Sequence, residues 1–363
     1  MYVRTFAYKT TGKVRACQRK PRPAPEQGTK MKTTLNDDVA AALAQLEARP
    51  PSHVFLVACG GSLSIMHPGK YFLDRHSSRL AADVLNSDEF VCRDPRKLDS
   101  NALVILCSQT GATAETVRAA AHARGKGART IGMTLDPASP LAQGVDATVR
   151  YQSHYATGVP IDAADSNYGV LFMLLACLVR LTDGEDCVPA ALASLNALQP
   201  AIDRAHERYA PLFADFAPRF ARKNAIYTIA SGACYGAAYS FAICVLMEML
   251  WIHSQAVHAD EFFHGPFEIV DREAAFVQLI GLGETRRLDL RARLFLDRYG
   301  APQNILTLDA SDLDLSGVDE AFQPYLTPLI FFDALWKFAY RLAALRDHVM
   351  LDGRRYMKKI SDY

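Results

Sequence analysis

The sequence predicts an α/β protein in which one parallel sheet, flanked by helices, is built twice along the chain. Three observations predict it. Short apolar runs recur at Val54-Phe-Leu-Val-Ala58, Ala102-Leu-Val-Ile-Leu-Cys107 and Ala128-Arg-Thr-Ile-Gly-Met-Thr134, separated by stretches of helical spacing, which is the pattern of βαβ crossovers. The series then returns: Gly60 and Gly232 lie 172 residues apart, and the same offset carries the strand at 103–107 onto Ala275-Phe-Val-Gln-Leu279. Finally, 363 residues of which 50% are hydrophobic and 22% charged suffice for two cores of ordinary size.

Residues 1–34 read as a basic, disordered leader. It lacks the apolar segment and small-residue cleavage site of a secretory signal, and Met31 offers an alternative start. Residues 37–48 have helical spacing. The run at 54–58 ends in Cys59-Gly-Gly-Ser62, a strand, tight turn and helix start. The strand at 102–107 ends in the polar turn Ser108-Gln-Thr-Gly-Ala-Thr113, followed by a helix from Ala114 to about Arg124. Residues 35–188 are assigned to a first domain, and apolar helical sequence at 168–182 closes it. Residues 189–222 are amphipathic and read as linker helices. The second domain, 223–345, opens with Ile226-Tyr-Thr-Ile-Ala230 and Ser231-Gly-Ala-Cys-Tyr-Gly236, and its last predicted strand is Asn304-Ile-Leu-Thr-Leu308. Residues 346–363 form a C-terminal tail.

Charge and cysteine usage exclude several function classes. Residues 1–33 carry nine Lys/Arg against the single acid Glu26, leaving 31 Lys/Arg against 38 Asp/Glu, so the body is mildly acidic and offers no basic field for nucleic acid. No window approaches the roughly 20 apolar residues of a membrane span, because 169–179 is short and 241–252 is interrupted by Glu248. Eight dispersed cysteines without CxxC spacing predict a reducing, cytoplasmic setting.

The copies differ where an anion could bind. In the first, the hydroxyls of Ser108, Thr110 and Thr113 and the free N–H groups of a helix start crowd one turn, a geometry that holds phosphate without a lysine. In the second, Ile280-Gly-Leu-Gly283 offers no hydroxyl before Thr285. One phosphate site per chain is expected, in the first domain; the alternative is that these hydroxyls only cap the helix.

Residues 237–252 are apolar nearly all round and predict a buried helix, yet contain Glu248. A buried carboxylate has its ionised form penalised, which suits a general base that takes a proton from carbon. The alternative is a carboxylate paired with an arginine at the helix edge. Asp260-Glu-Phe-Phe-His264-Gly-Pro266 then ends any helix and holds His264 on a turn, as a candidate general acid. His253, His258 and His264 are spaced by five and six residues, which does not align them on one helical face, so no metal is expected.

The pair Cys59-Gly-Gly-Ser62 and Ser108-Gln-Thr-Gly-Ala-Thr113 resembles the phosphosugar loops of the sugar isomerase (SIS) family. Ala230-Ser-Gly-Ala-Cys-Tyr-Gly-Ala-Ala-Tyr239, Met247-Glu-Met-Leu-Trp-Ile-His-Ser254 and Glu261-Phe-Phe-His-Gly-Pro-Phe-Glu-Ile269 are similar to the bacterial fructosamine-6-phosphate deglycases. Within that group the resemblance is strongest to the 6-phosphofructose-aspartate deglycases, with the fructoselysine-6-phosphate deglycases next, and it spans about residues 35–363. It implies two SIS-type domains and an enzyme, a hydrolase without cofactor, that cleaves a 6-phosphofructosyl amino acid to glucose 6-phosphate and the free amino acid. It implies that Gly61, Ser62, Ser108, Gln109, Thr110 and Thr113 bind the sugar phosphate, that Glu248 is the base and that His264 is the acid or ring-opening group. It also implies a homodimer whose sites draw the histidine from the neighbouring chain. Lys359, in Arg354-Arg-Tyr-Met-Lys-Lys359, is implied as a ring-opening lysine, with Lys358 the alternative register. Two rival classes share the loops: a glucosamine-6-phosphate deaminase or other aldose-ketose isomerase, and a non-catalytic sugar-phosphate sensor. The amino acid released stays open among Asp, Asn, Gln, Glu and Lys conjugates.

Overall fold

Two all-parallel sheets organise the computed structural model, which describes residues 35–153, 161–351, 355 and 360. The first contains β1 (His53–Ala58), β2 (Ala81–Asn86), β3 (Ala102–Cys107), β4 (Arg129–Thr134) and β5 (Ala147–Arg150), in the order β2-β1-β3-β4-β5. The second contains β6 (Ala225–Ala230), β7 (His253–His258), β8 (Phe276–Ile280) and β9 (Ile305–Asp309), in the order β7-β6-β8-β9. The strand order of the second sheet reproduces the first four strands of the first. In both, the order reverses between the first and third strands laid down, and such a switch point opens a crevice at the carboxyl ends of the strands. The repeat extends to the backbone, since Gly60 and Gly232 both adopt left-handed φ values, 55° and 53°.

The central strands are the continuous apolar runs. All six residues of β1 and of β3 are buried, as a strand covered on both faces requires. The edge strands β2 and β7 alternate or lean polar, because one of their sides faces solvent. The sheets share a core. Helix Asn167–Asp183 is almost wholly buried, and helix Val188–Phe220, one uninterrupted element of 33 residues, packs along helix Gln323–Leu345. Phe213 and Phe220 lie against Phe338 at ring distances of 5.3 and 5.6 Å, and one apolar cluster runs from β1 and β3 through these helices to β8 and β9.

One expectation is corrected. Residues 237–252 are not a single buried helix. An α-helical turn, Tyr235–Ser240, passes into a π-helix, Phe241–Met247, and the chain then surfaces: Met247 is 44% and Trp251 47% exposed, and β7 begins at His253. The reversal into an edge strand occupies residues that apolar composition alone assigns to the helix.

Candidate active site

The turns at the switch point of the first sheet hold the expected phosphate residues. Cys59 leaves β1 extended, Gly60 turns left-handed and the short helix Gly60–Ser64 begins, with the Ser64 hydroxyl donating to Gly61 O at 2.6 Å. The half-buried Ser62 hydroxyl meets the thiol of Cys107 at the end of β3; burial pushes that thiol up to about 11. Beyond β3, Ser108 is 2% exposed and its backbone N–H donates to Met133 O on β4. Gly111 sits at φ 64°, where a Cβ would lie 2.0 Å from Ser139 Oγ, so the loop folds only around glycine.

Thr113 occupies the N-cap position of helix Ala114–Gly125 but its side chain makes no capping bond; the hydroxyl lies 2.9 Å from that of Ser108. The first turn of this 12-residue helix thus keeps its N-terminal dipole uncapped by Thr113, next to a hydroxyl pair. Gln109 and Thr110 are exposed on the rim, with the Gln109 carbonyl held by Leu135 N at 3.1 Å and the Thr110 hydroxyl accepting from Ala112 N at 3.3 Å.

The corresponding place in the second domain is filled from within. Asp289, fully buried in the first turns of helix Arg286–Tyr299, accepts Gly281 N at 3.1 Å, and Ser231 beside it donates its hydroxyl to Thr285 O at 3.1 Å. Its carboxylate therefore holds the turn after β8 and lies next to Ser231 of the turn after β6. Burial pushes its pKa up to about 6 against the Gly281 bond. The sequence offered no warning, because an aspartate in Arg-Arg-Leu-Asp-Leu-Arg reads as surface.

Glu248 follows the π-helix directly. Its N–H donates to Ile243 O, five residues back, at 3.0 Å, and its side chain is half-buried. Cys244, one turn earlier, has its thiol pushed up to about 12 by burial and by the Glu248 carboxylate. The Cβ positions of Gly60 and Gly61 both lie 4.0 Å from Cys244 Sγ, and that of Gly61 4.0 Å from Ser240 Oγ. At Gly236 a Cβ would come within 2.2 Å of Ser64 O. Gly236, Ser240, Cys244 and Glu248 thus form a stripe of four-residue spacing whose small members admit the first-domain turn to the helix carrying Glu248. Sequence reasoning missed this stripe, although its spacing and small residues were legible. Burial with Cys244 and Cys59 nearby also pushes Tyr239 up to about 12.

His264 ends the turn Glu261–Phe263, with its N–H bonded to Glu261 O at 2.9 Å, and Gly265 at φ 133° leads into Pro266–Ile269. Its side chain is exposed. The segment is anchored by fully buried Phe262, by Phe263 under the Arg291 guanidinium at 3.9 Å, and by Phe267 against Phe295. The turn at Gly60 and Gly61 thus packs on Ser240 and Cys244 of the helix that leads to Glu248, Ser108 and Thr113 pair on the turn after β3, and His264 lies on an exposed turn. His253 and His258 are the ends of edge strand β7. Lys358 and Lys359 lie outside the described residues.

Comparison with known proteins fits this arrangement. The SIS domain model matches residues 48–179. Fructosamine deglycase FrlB of Bacillus subtilis is 44% identical over 90% of this chain and 97% of its own length. The chain belongs to the fructosamine deglycase family of SIS-domain enzymes. Fructoselysine 6-phosphate deglycase of Escherichia coli K12 is 27% identical over 90% of this chain and 91% of its own. The crystal structure of a Bacillus subtilis protein described as a phosphosugar isomerase superposes with a TM-score of 0.86 at 43% identity, covering 90% of this chain and 98% of that one. No helix among the described residues is long and apolar enough to cross a membrane.

Proposed function

We propose that this SIS-domain deglycase cleaves a 6-phosphofructosyl amino acid, of the aspartate type, to glucose 6-phosphate and the free amino acid, as a cytoplasmic homodimer with shared sites. The observation that carries this reading is the packing of the Glu248 helix on the Cys59–Ser62 turn, beside the Ser108–Thr113 hydroxyl pair. A carboxylate is thereby presented to a phosphosugar held by the first-domain loop.

The phosphate sits on Ser62, Ser108, Gln109, Thr110 and Thr113, with Gly61 allowing close approach. In the open-chain ketosamine the C1 hydrogen is acidified by the C2 carbonyl. Glu248 removes it, and the C2 oxygen takes up a proton to give an enaminol. Reprotonation at C2 leaves a C1=N imine. Water adds to C1, the C–N bond breaks, and the amine leaves with the proton returned to it; one water is consumed for each glucose 6-phosphate and amino acid formed. His264, from the neighbouring chain, supplies protons or opens the sugar ring, and Lys359 assists ring opening. In this reading residues 35–188 supply the phosphate loop and residues 223–345 the base.

The test is incubation with a panel of 6-phosphofructosyl amino acids, following glucose 6-phosphate and amino acid together. Equimolar release, fastest for the aspartate conjugate, is expected. Ammonia release from glucosamine 6-phosphate, or aldose-ketose interconversion without amine release, would replace this reading with a deaminase or isomerase.

A further inference from the structure

We propose that Trp251 and His348 are positioning residues that hold the turn of Glu248 in the geometry for proton abstraction, an inference that rests on Glu248 being the base. Trp251 lies three residues beyond Glu248 at φ 56°. A bulky aromatic residue is rarely found in the left-handed region and persists there only where its surroundings over-determine it. Burial of the indole does not account for it, since Trp251 is 47% exposed while its neighbours Leu250 and Ile252 are 0% and 1% exposed. Were the reversal alone required, glycine would satisfy it without strain.

The contacts of the indole explain the choice. The His348 ring stands edge-on to it at 4.8 Å, and the Arg355 guanidinium lies over it at 5.1 Å. His348 Nε2 donates to the carbonyl of Met249, the residue after Glu248, at 2.7 Å. The backbone that presents His348 is left-handed as well: Asp347, at φ 49°, follows helix Gln323–Leu345, and His348 N bonds back to Ala343 O at 2.9 Å. On the other side, Leu250 N bonds to Val245 O at 3.0 Å and Ile252 N to Leu246 O at 2.8 Å. The segment 247–252 is therefore gripped between the π-helix and the end of the long C-terminal helix. The π-helix leaves the Glu248 N–H bonded five residues back, a register wider than the α-helical one, and the clamp adds a side-chain restraint to these backbone bonds.

The test uses the full chain and a 6-phosphofructosyl amino acid carrying deuterium at C1. In Trp251→Gly the strain is relieved and the indole removed, so the melting temperature should stay close to wild type while kcat falls about 10- to 100-fold at nearly constant KM, the scale of a misplaced catalytic group. The primary isotope effect should grow as proton abstraction becomes rate-limiting. His348→Ala should behave alike, and His348→Gln, whose amide can still reach the Met249 carbonyl, should recover most of the loss. In a Glu248→Gln background neither substitution should lower the residual rate further. Unchanged kcat and isotope effect in Trp251→Gly and His348→Ala, or no recovery with Gln, would overturn the clamp while leaving Glu248 as base. Full activity of Glu248→Gln would instead remove the base assignment itself.

Discussion

Removing the hydroxyls of the Ser108–Thr113 pair tests the phosphate assignment with a magnitude the structure sets. The two oxygens lie 2.9 Å apart, so one of their two protons is spent between them and one remains for a ligand. The double variant Ser108→Ala/Thr113→Val should therefore lose one hydrogen bond to a charged acceptor rather than two, about 1.5–3 kcal/mol, which is roughly a 10- to 150-fold loss in kcat/KM. Because Ser108 is buried and Thr113 caps nothing, helix Ala114–Gly125 should survive the change. The assay compares kcat/KM on fructosyl-aspartate with and without its 6-phosphate, in wild type and variant. The loss should appear only with the phosphorylated compound, and wild type should strongly prefer it. Equal efficiency of wild type on both compounds would refute phosphate binding at this loop.

Three further outcomes are expected. Glu248→Gln should lower kcat by about 10²-fold or more with phosphosugar binding retained, the scale of a lost general base, as read by steady-state kinetics and equilibrium binding. Mixed Glu248→Gln and His264→Asn proteins should regain activity after subunit exchange; failure despite demonstrated exchange would place both residues of a site in one chain. Asp289 holds its proton more tightly folded than unfolded, so its contribution to stability is present at low pH and lost as pH rises through about 6. Neutral Asp289→Asn should gain on wild type by roughly 1.4 kcal/mol between pH 5 and pH 8 in urea titrations, and a constant difference would refute the buried-carboxylate argument.

The sheets were legible where strands are apolar runs, the edge strand β9 included, and obscure at the polar edge strands β2 and β7. Wholly buried β1 and β3 announce themselves as Val54–Ala58 and Ala102–Cys107, whereas β2, Ala-Ala-Asp-Val-Leu-Asn, and β7, His-Ser-Gln-Ala-Val-His, carry polar residues on their open sides and show no apolar run. The second predicted strand of the repeat, 275–279, lies one residue from β8 at Phe276–Ile280. Glu248 stood out as a lone carboxylate in an apolar run. Its setting did not, because a π-helix is a change of hydrogen-bond register with no residue signature, and the surfacing of Trp251 depends on contacts with His348 and Arg355 about a hundred residues away.

The duplicated fold also gives a reason why the proposed phosphate loop would occur once in a two-copy chain. Each copy places glycine at the left-handed turn after its first strand, next to the switch point, where a turn that leaves backbone N–H groups free attracts negative charge. In the first copy the opening meets a hydroxyl pair and an uncapped helix start. In the second, Asp289 delivers a carboxylate from helix Arg286–Tyr299 onto the N–H of Gly281, beside Ser231, so an anion is already supplied from inside the protein. That internal anion frees the second copy for another use. Its first turn continues through Gly236, Ser240 and Cys244 toward Glu248, small residues that let the first copy's loop pack on this helix, which is the approach the proposed pairing of base and ligand requires.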